Sequence, residues 1–537
     1  MKKVLIPIFL LLFTSQVFAQ SDLQKVRIED FSGGMVSNAS RDILQANQAA
    51  SAVNVEINRP GKISKRRGQT LFNTDVGSTA FKGLGRFDPD ATTSYMIVAS
   101  GTSVARSLSS STSWTTFNGA SNLTSGLDTS FIQADDLLFI VNGFDNPFWY
   151  SGSTFFAGSN IYPTSPPVAK TGAWLRNYLF LTGNPTDSDW VYVSNNLNPQ
   201  VFSAADIIKV NTGDGQAVVR IVPYRLNELI AYKDRSIYVI DITGSPPSTC
   251  TTDCWTVQPL NKTIGLIAPK SVVQIGNDQW FLSSNPIAIR SLVRSDFDKI
   301  LQASVSSPIQ DVFDGTGSLV INKTHISKAA AVYFDDKYLI AVPTGTSTVN
   351  NTVFVYDFLA NGWTRIDGWY PADWIVFNER LFYIDANDGR VLECFTSNYA
   401  DYAIGPQTTP SAPDQAIVMD YLSREIDFDN KENFKMPDAF EVEFEPTGNY
   451  YAETFINLDQ DGWTSTGAVN LAGNSLTLNF TLPSNLGMDG VTRKTFQTQQ
   501  YGEFKRMQIR VRQNGLNQKC TLKRITNFAR PKPWRRE

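Results

Sequence analysis

Histidine and cysteine are the scarcest chemically versatile residues in this chain. Among 537 residues there is one histidine, His325, and there are four cysteines. Zinc sites are built from several Cys, His or carboxylate ligands, and hydrolytic triads rely on a base that is usually histidine. The composition therefore excludes multi-histidine metal centres and zinc ribbons, and a Ser-His-Asp mechanism would have to use His325, which precedes a predicted strand. We expect no catalytic residue, no metal and no other cofactor.

Positive charge is also in short supply. There are 47 Lys and Arg residues against 51 Asp and Glu, which gives a formal net charge of -4. Proteins that grip nucleic acid do so with an excess of basic groups that contact phosphates. The charge balance disfavours a protein that holds DNA tightly, and it suits a surface along which DNA slides.

A short apolar run stands at the N-terminus. Lys2 and Lys3 precede an apolar stretch over 4–13, and Val17-Phe18-Ala19 follows it, which matches the three regions of a secretory signal peptide. The stretch is too short to cross a bilayer comfortably. We predict a signal-like leader over 1–19 and no membrane span in the mature chain. The alternative is a hydrophobic initial strand that is not cleaved.

Two of the cysteines are close in sequence. Cys250 and Cys254 could form a disulfide in an oxidising compartment, because a turn can bring residues four apart within bridging distance. Redox catalysis is the alternative, but the C-x-x-x-C spacing and the lack of a flanking βαβ pattern disfavour it. Cys394 and Cys520 lie in strand-like segments and are predicted to be small buried hydrophobic residues.

A degenerate unit of turn, apolar strand, turn and second strand recurs along the chain. Its copies occupy 135–152, 176–194, 226–241, 276–292, 335–366 and 378–395, with a weaker copy over 95–117. Period-two alternation and turns rich in Gly, Asn and Asp predict antiparallel hairpins. A spacing of roughly 40 to 50 residues predicts a β-propeller of six to eight blades. Two unrelated β-sandwiches with coincidental hairpins are the alternative.

The pattern changes along the chain, and it predicts an all-β protein in several parts. The parts are a leader over 1–19, an N-terminal segment over 20–74, a propeller over 75–407, a linker over 408–415, a C-terminal β-sandwich over 416–529, and a basic, proline-containing tail over 530–537. The N-terminal segment is expected to contain a helix over 42–53 and a hairpin that turns at Pro60-Gly61. Residues 295–315 look helical, with Ser307-Pro308 as a helix start.

Two basic clusters are candidate subunit-interface sites. They comprise Arg59, Lys62, Lys65, Arg66 and Arg67 in the first hairpin, and Arg530, Lys532, Trp534, Arg535 and Arg536 at the C-terminus. Phosphate contact is the alternative for both clusters. Because the tail contains Pro531 and Pro533, it cannot form a regular helix, and we predict an extended arm anchored on a neighbouring subunit by Trp534.

Several segments together resemble one family. The opening FSGGMVSNASRDILQANQAASAVNVEINRPGKISKRRG has a Phe-x-Gly-Gly turn, Asn54, and a hairpin with Gly61, Arg66 or Arg67, and Gly68. Further similar segments follow in this order: VYVSNNLNPQVFS, the blade segments IGLIAPKSVVQIGNDQWFLSSNPIAIRSL and YLIAVPTGTSTVNNTVFVYDFLANGWTRIDG, and SREIDF. The chain resembles the β-propeller tail proteins of short-tailed bacteriophages, called nozzle, tail tubular B-type or packaged-DNA stabilisation proteins.

This resemblance implies a non-enzymatic structural protein of the virion tail. Its expected partners are further copies of itself in a closed ring, commonly six, together with a tail adaptor and tail fibre or needle proteins. The ring is expected to retain double-stranded DNA and then pass it during ejection.

A second hypothesis follows from the leader and the tryptophans. An exported propeller could be a periplasmic or extracellular lectin or glycoside hydrolase acting on surface carbohydrate, with carboxylates in its channel. The tryptophans suited to sugar stacking are Trp149, Trp174, Trp190, Trp369 and Trp374.

Overall fold

A computed structural model describes residues 23–58, 61–72, 81–108, 110–111, 113–119, 122–158, 164–295, 304–387, 389–402, 414–472 and 492–532. Helical structure in this part of the chain is limited to α1 (Leu292–Ser295), α2 (Gln310–Asp314) and four single 3-10 turns at Pro269–Ser271, Ser307–Ile309, Ile326–Lys328 and Gln499–Tyr501. The remaining regular structure is β-strand, which confirms the all-β class. The leader, Arg59, Pro60, most of the 408–415 linker, Trp534, Arg535 and Arg536 lie outside the described residues.

The N-terminal segment consists of strands and turns. Its strands are β1 (Gln24–Ile28), β2 (Ala49–Val53), β3 (Val55–Asn58), β4 (Lys62–Lys65) and β5 (Gln69–Leu71). The predicted hairpin is confirmed, because β3 and β4 pair antiparallel. The predicted helix over 42–53 is wrong: turns lead into β2, which pairs with a strand near residue 420. Helix propensity is a weak local preference, and the pairing overrides it.

The first four propeller blades are four-stranded antiparallel sheets. Blade 1 contains β6 (Phe81–Phe87), β7 (Tyr95–Ser100), β8 (Ser103–Leu108) and β9 (Thr115–Thr116). Blade 2 contains β10 (Ser130–Ala134), β11 (Leu137–Val141), β12 (Phe148–Tyr150) and β13 (Phe155–Phe156). Blade 3 contains β14 (Thr171–Leu175), β15 (Tyr178–Thr182), β16 (Trp190–Asn195) and β17 (Asn198–Lys209). Blade 4 contains β18 (Val218–Arg225), β19 (Glu228–Lys233), β20 (Ile237–Asp241) and β21 (Thr256–Asn261).

Three further blades follow. Blade 5 contains β22 (Val273–Ile275), β23 (Asp278–Leu282) and β24 (Ile289–Ser291). Blade 6 contains β25 (Ala330–Phe334), β26 (Lys337–Val342), β27 (Thr352–Asp357) and β28 (Gly362–Asp367). Blade 7 contains β29 (Pro371–Phe377), β30 (Arg380–Asp385) and β31 (Val391–Cys394). Between blades 5 and 6 the Ser307-Pro308 start is confirmed as a 3-10 turn that leads into α2, whereas 296–303 of the predicted helical segment lie outside the described residues.

These blades form a closed ring around a central axis. The first strands of most neighbouring blades pack side by side, and blades 4 and 5 share an apolar cluster that includes Tyr232 and Phe281. The ring closes where β29 of blade 7 meets β6 of blade 1. Apolar side chains fill the space between adjacent blades, for example Phe180 and Leu229 between blades 3 and 4. The described residues therefore form a seven-bladed propeller, within the predicted range of six to eight.

Closure of the ring depends on a strand from the N-terminal segment. β5 pairs antiparallel with β31 as the fourth strand of the blade 7 sheet, which continues beyond β5 into two short strands near residues 400 and 415. The beginning and the end of the propeller are thus joined by backbone hydrogen bonds as well as by the contact between β29 and β6.

The remaining strands belong to the C-terminal part of the chain. They are β32 (Ala400–Asp401), β33 (Gln415–Ala416), β34 (Met419–Ser423), β35 (Lys435–Phe444), β36 (Tyr451–Leu458), β37 (Thr464–Asn470), β38 (Thr492–Gln497), β39 (Met507–Gln513) and β40 (Thr521–Pro531). One sheet, here the terminal sheet, has the order β3-β4-β40-β35-β38, with β1 also paired to β40. A second, here the extended sheet, continues from blade 6 through β2, β34, β39, β36 and β37. Their facing apolar side chains share one core that includes Phe440, Ile525 and Val511.

A C-terminal sandwich is therefore present, but residues 416–529 do not form it alone. β1, β3 and β4 contribute to the terminal sheet, and β2 contributes to the extended sheet. Val53 of β2 lies beside Arg365 of blade 6 in a parallel pair, so one sheet runs from the propeller into the sandwich. The predicted division into separate segments gives way to a single body built from both ends of the chain.

The four cysteines follow the sequence-based expectation. Cys250 and Cys254 form a disulfide in the connection between β20 and β21, with their Cα atoms 5.4 Å apart. Cys394 and Cys520 are buried free thiols. Burial is the main reason that the pKa of Cys520 rises to about 12, which makes this thiol unreactive at neutral pH.

Candidate functional site

The structure separates the predicted basic cluster of the first hairpin into buried and exposed residues. Lys65 is 1% exposed and Arg66 is 0% exposed. Their predicted role as contacts to a neighbouring subunit does not fit this burial, because both side chains are enclosed by the chain itself. They instead connect parts of this chain that are far apart in sequence.

Arg66 lies where the N-terminal segment, the propeller and the sandwich meet. Its Nη1 donates to Asp401 Oδ1 at 2.8 Å, and its Nε donates to Asn54 Oδ1 at 2.9 Å. The guanidinium carbon lies 4.7 Å from the ring centroid of Trp369, in a cation–π arrangement. We call the region of contact around Phe31, Gly34, Asn54, Arg66 and Gly68 the seam.

Lys65 points from β4 into the sandwich. Its Nζ donates to Gln513 Oε1 and to the Gly515 carbonyl oxygen, both at 2.8 Å. Burial lowers the pKa of this lysine to about 8, against a smaller opposing effect of Cys520.

The other described basic residues of the two predicted clusters remain at the surface, where acidic residues partly neutralise them. Their ion pairs are Lys62 with Glu445 at 2.6 Å, Arg67 with Glu56 at 3.8 Å, Arg530 with Asp438 at 3.4 Å, and Lys532 with Glu503. Lys62 and Arg530 belong to the terminal sheet, through β4 and β40. This sheet therefore brings together residues from both predicted clusters, and they stay available for subunit contacts.

A second candidate site lies on the propeller axis. A partly open cavity of about 780 Å³ lies at the end of the ring where the innermost strands of most blades begin. The lining residues come from blades 2 to 7 and from the connections before those blades. This volume falls within the range of small-molecule sites.

Six charged side chains of the described residues line the cavity. Lys170, Arg220, Lys270 and Lys328 line it together with Asp128 and Asp234. Lys270 Nζ also forms an ion pair at 2.9 Å with Asp373 of β29.

The pKa values of the charged groups reflect this partial enclosure. Burial acts to lower the pKa of Lys270, but Asp373 and Asp128 outweigh it, and the net shift is upward. Burial raises the pKa of Asp234, although Arg235 and Lys233 oppose the effect.

Sequence reasoning missed this cavity. The usable signal was a basic residue at the start of consecutive repeats, since Lys170, Arg220 and Lys270 recur one blade apart. To recognise this signal one must know which residue of each blade faces the propeller axis. The degenerate sequence repeat does not reveal this.

The tryptophans considered for sugar stacking are not among the residues that line the axial cavity. Trp369 and Trp374 are buried at 0% and 7% exposure, and Trp149, Trp174 and Trp190 pack against blade cores. Among the described residues that line the axial cavity, none is aromatic. His325 is half-buried in the turn before Ile326–Lys328. The described residues contain no group of three or more His, Cys, Asp or Glu side chains placed to hold a metal ion.

Within the part of the chain that the structure describes, no helix is long and apolar enough to cross a bilayer.

Comparison with known proteins finds likeness at the level of fold. No family model and no curated protein matches the chain. BamB from Moraxella catarrhalis is 11% identical with a TM-score of 0.36, over 62% of this chain and 98% of that chain. YCF48 from Cyanidioschyzon merolae is 14% identical with a TM-score of 0.37, over 61% and 98%. An exo-β-1,3-galactanase from Phanerochaete chrysosporium is 10% identical with a TM-score of 0.22, over 86% and 100%. Because these values are low, we take no functional argument from them, and the propeller is defined by its sheet topology.

Proposed function

We propose that this protein is a structural component of the tail of a short-tailed bacteriophage. In this proposal about six copies close into a ring, which binds a tail adaptor and a fibre or needle and forms a conduit for double-stranded DNA. The protein acts as a nozzle and performs no catalysis. The observation that carries the proposal is that five residues of the resembling N-terminal segment, those that define the seam, each contact the propeller or the strands that follow it.

Each of these motif residues has a specific geometric role. Phe31 is buried and packs edge-to-face on Tyr421 of the sandwich, with ring centroids 5.2 Å apart. Gly34 has φ of +60°, and a Cβ at this position would lie 2.6 Å from the Trp363 carbonyl oxygen of blade 6. At Gly68 a Cβ would lie 1.8 Å from the Ala400 carbonyl oxygen. These motif residues thus lie at contacts between the propeller and the sandwich, which a tail subunit under mechanical load requires.

The charge and the cavity size are consistent with a conduit between subunits. A channel wall rich in basic groups would bind phosphates cumulatively and slow the passage of DNA, whereas this chain carries a net charge of -4. The axial cavity has the volume of a small-molecule site and offers no path for a duplex. The DNA channel in this proposal is therefore enclosed by the ring of subunits.

Native mass spectrometry of two forms, 1–537 and 20–537, tests the proposal, followed by imaging of the particles. We expect a closed ring of about six chains with a channel at least about 20 Å wide. A chain that stays monomeric at every concentration, alone and with tail adaptor protein, would contradict the nozzle. A rise in melting temperature of such a monomer with polysaccharide would support the exported lectin or hydrolase instead.

The C-terminal arm can be tested separately. β40 pairs with β35 as far as Pro531, so deletion of 533–537 leaves the described strands complete. We expect this deletion to reduce the fraction of rings at equal protein concentration without changing the melting temperature. A matched control is Lys337→Ala, which removes a charge from the short hairpin turn of blade 6. Unchanged ring formation in the deletion variant would exclude the arm as a subunit contact.

A further inference from the structure

Four consecutive blades each place one cation at the start of the innermost strand. Lys170 directly precedes β14 of blade 3, and Arg220 is the third residue of β18 in blade 4. Lys270 and Lys328 occupy the 3-10 turns before β22 of blade 5 and β25 of blade 6. All four line the axial cavity, and we call them the cationic arc.

Three members of the arc, Lys170, Arg220 and Lys328, form no ion pair among the described residues, although Asp373 acts electrostatically on Arg220. Arg220 Nη1 donates to the Pro269 carbonyl oxygen at 2.8 Å, and Lys328 Nζ donates to the Thr348 carbonyl oxygen at 2.8 Å. For the exposed side chain of Lys170 the described structure contains neither an ion pair nor a hydrogen bond. Lys270 is the member that is neutralised, by Asp373. Lys170 and Lys328 are exposed, whereas Arg220 and Lys270 are half-buried. Like charges on one cavity wall repel one another, and a bound anion relieves this repulsion.

The rest of the lining limits what kind of anion fits. Ser130, Thr171 and Ser188 offer hydroxyl groups, and the carboxylates of Asp128 and Asp234 can accept hydrogen bonds from ligand hydroxyls. The described lining offers no aromatic ring on which a nucleotide base could stack. The volume of about 780 Å³ exceeds what one inorganic ion needs.

We propose that the axial cavity binds a small anionic polyol, a sugar that carries a phosphate or a carboxylate group. The anionic group lies on Lys170, Arg220 and Lys328, where the guanidinium can make two parallel hydrogen bonds to it. The hydroxyl groups face the serine, threonine and aspartate side chains on the remainder of the wall. This site goes beyond the nozzle function and does not depend on ring assembly.

Isothermal titration calorimetry at constant ionic strength tests the site with glucose 6-phosphate, gluconate and uncharged glucose. We expect saturable binding of glucose 6-phosphate or gluconate at one site per chain, at least tenfold tighter than glucose, with a matching rise in melting temperature. The tighter of the two ligands identifies phosphate or carboxylate as the preferred group. If neither shows saturable binding, the proposal is overturned.

Substitutions in the arc assign the binding to this cavity. The double variant Lys170→Gln/Lys328→Gln removes two charges whose side chains have few structural contacts, and we expect at least tenfold weaker binding of the preferred ligand. The control is Arg225→Gln on the same strand as Arg220, because Arg225 is 63% exposed and lies outside the cavity. We expect its affinity to match that of the unmodified protein. Equal affinity in the double variant, with its melting temperature unchanged, would overturn the assignment.

Discussion

Arg66 shows why residue type and sequence position do not reveal the role of a charged group. It stands among five basic residues in a hairpin, a context typical of a solvated or interface surface. In the folded chain its guanidinium is instead buried, with Asp401 and Asn54 satisfying its donors. Desolvation offsets much of the attraction between the charges of such a buried ion pair, so the pair adds little net stability. Its main effect is to fix how the chain segments that carry the two charges are placed.

Replacing Arg66 is expected to be strongly destabilising. Arg66→Met leaves Asp401 buried without its partner, and loss of one member of such a pair typically costs about 3–5 kcal/mol. The control is Arg86→Met, because the pair of Arg86 with Asp88 is substantially exposed and is worth about 1 kcal/mol or less. Urea unfolding of both variants measures the difference. Equal costs for the two substitutions would contradict the role assigned to Arg66.

Lys65 gives a pH-dependent prediction at the same scale. Its pKa is lowered from an ordinary value of 10.5 to about 8, mainly by burial. Between these two pH values the unfolded chain retains a proton that the folded chain has lost, so the free energy of unfolding contributed by this group rises with pH. Comparison with Lys65→Met isolates the effect from that of other lysines.

We expect the free energy of unfolding of the unmodified protein to rise relative to the Lys65→Met variant between pH 8 and pH 10.5. The slope of this difference is at most about 1.4 kcal/mol per pH unit, the value for one proton. Chemical denaturation at pH 7.5, 9 and 10.5 measures it. A difference that stays constant over this interval would show that Lys65 keeps its ordinary pKa in the folded protein.

At the scale of elements, the short strand β5 has an important role in the fold because it completes blade 7. Three residues, Gln69–Leu71, complete blade 7 by pairing with β31 and also lie beside β32. Gln69 is fully buried, and its Oε1 accepts a hydrogen bond from the hydroxyl of Tyr383 at 2.5 Å. The residue before this strand is also held in place, because the backbone N–H of Gly68 donates to the Asn398 carbonyl oxygen.

Gly68→Ala should therefore disturb ring closure. A Cβ at this position would lie 1.8 Å from a backbone oxygen, so the two chain segments must move apart. We expect a cost of roughly 3 kcal/mol or more, at the upper end for single substitutions. Gly276→Ala is the control: its Cβ would meet open space, and its φ of +58° alone costs about 1–2 kcal/mol. Thermal unfolding of both variants measures the difference, and a Gly68→Ala melting temperature no lower than that of the control would contradict this role.

At the scale of the whole molecule, propeller and sandwich share backbone pairing and a core. The extended sheet passes from blade 6 through β2 into the sandwich, and the sandwich core continues to residues of blades 5 and 6 such as Trp280 and Phe354. Units that share a sheet and a core unfold together, in contrast to domains joined by a linker.

The fragment 75–407 is consequently expected not to fold into a stable propeller, although it contains every predicted blade repeat. It lacks β5, which closes the ring, and β2, which covers the edge of blade 6. The longer chain 20–537 should show one cooperative unfolding transition. Near-UV circular dichroism and calorimetry of both proteins test this. A fragment with native-like packing and its own sharp transition would mean that the seam is not required for the fold.

The sequence by itself determined the all-β class, the propeller hairpins and the hairpin at residue 60, and it indicated Cys250 and Cys254 as possible disulfide partners. These features depend on period-two alternation, turn chemistry and short sequence separations, all of which are local. Only the tertiary structure decided that Ala49–Val53 is a strand, that Lys65 and Arg66 are buried, and that Lys170, Arg220, Lys270 and Lys328 converge on one cavity. These properties arise from the pairing and packing of residues as far apart as Arg66 and Asp401, which no local pattern contains.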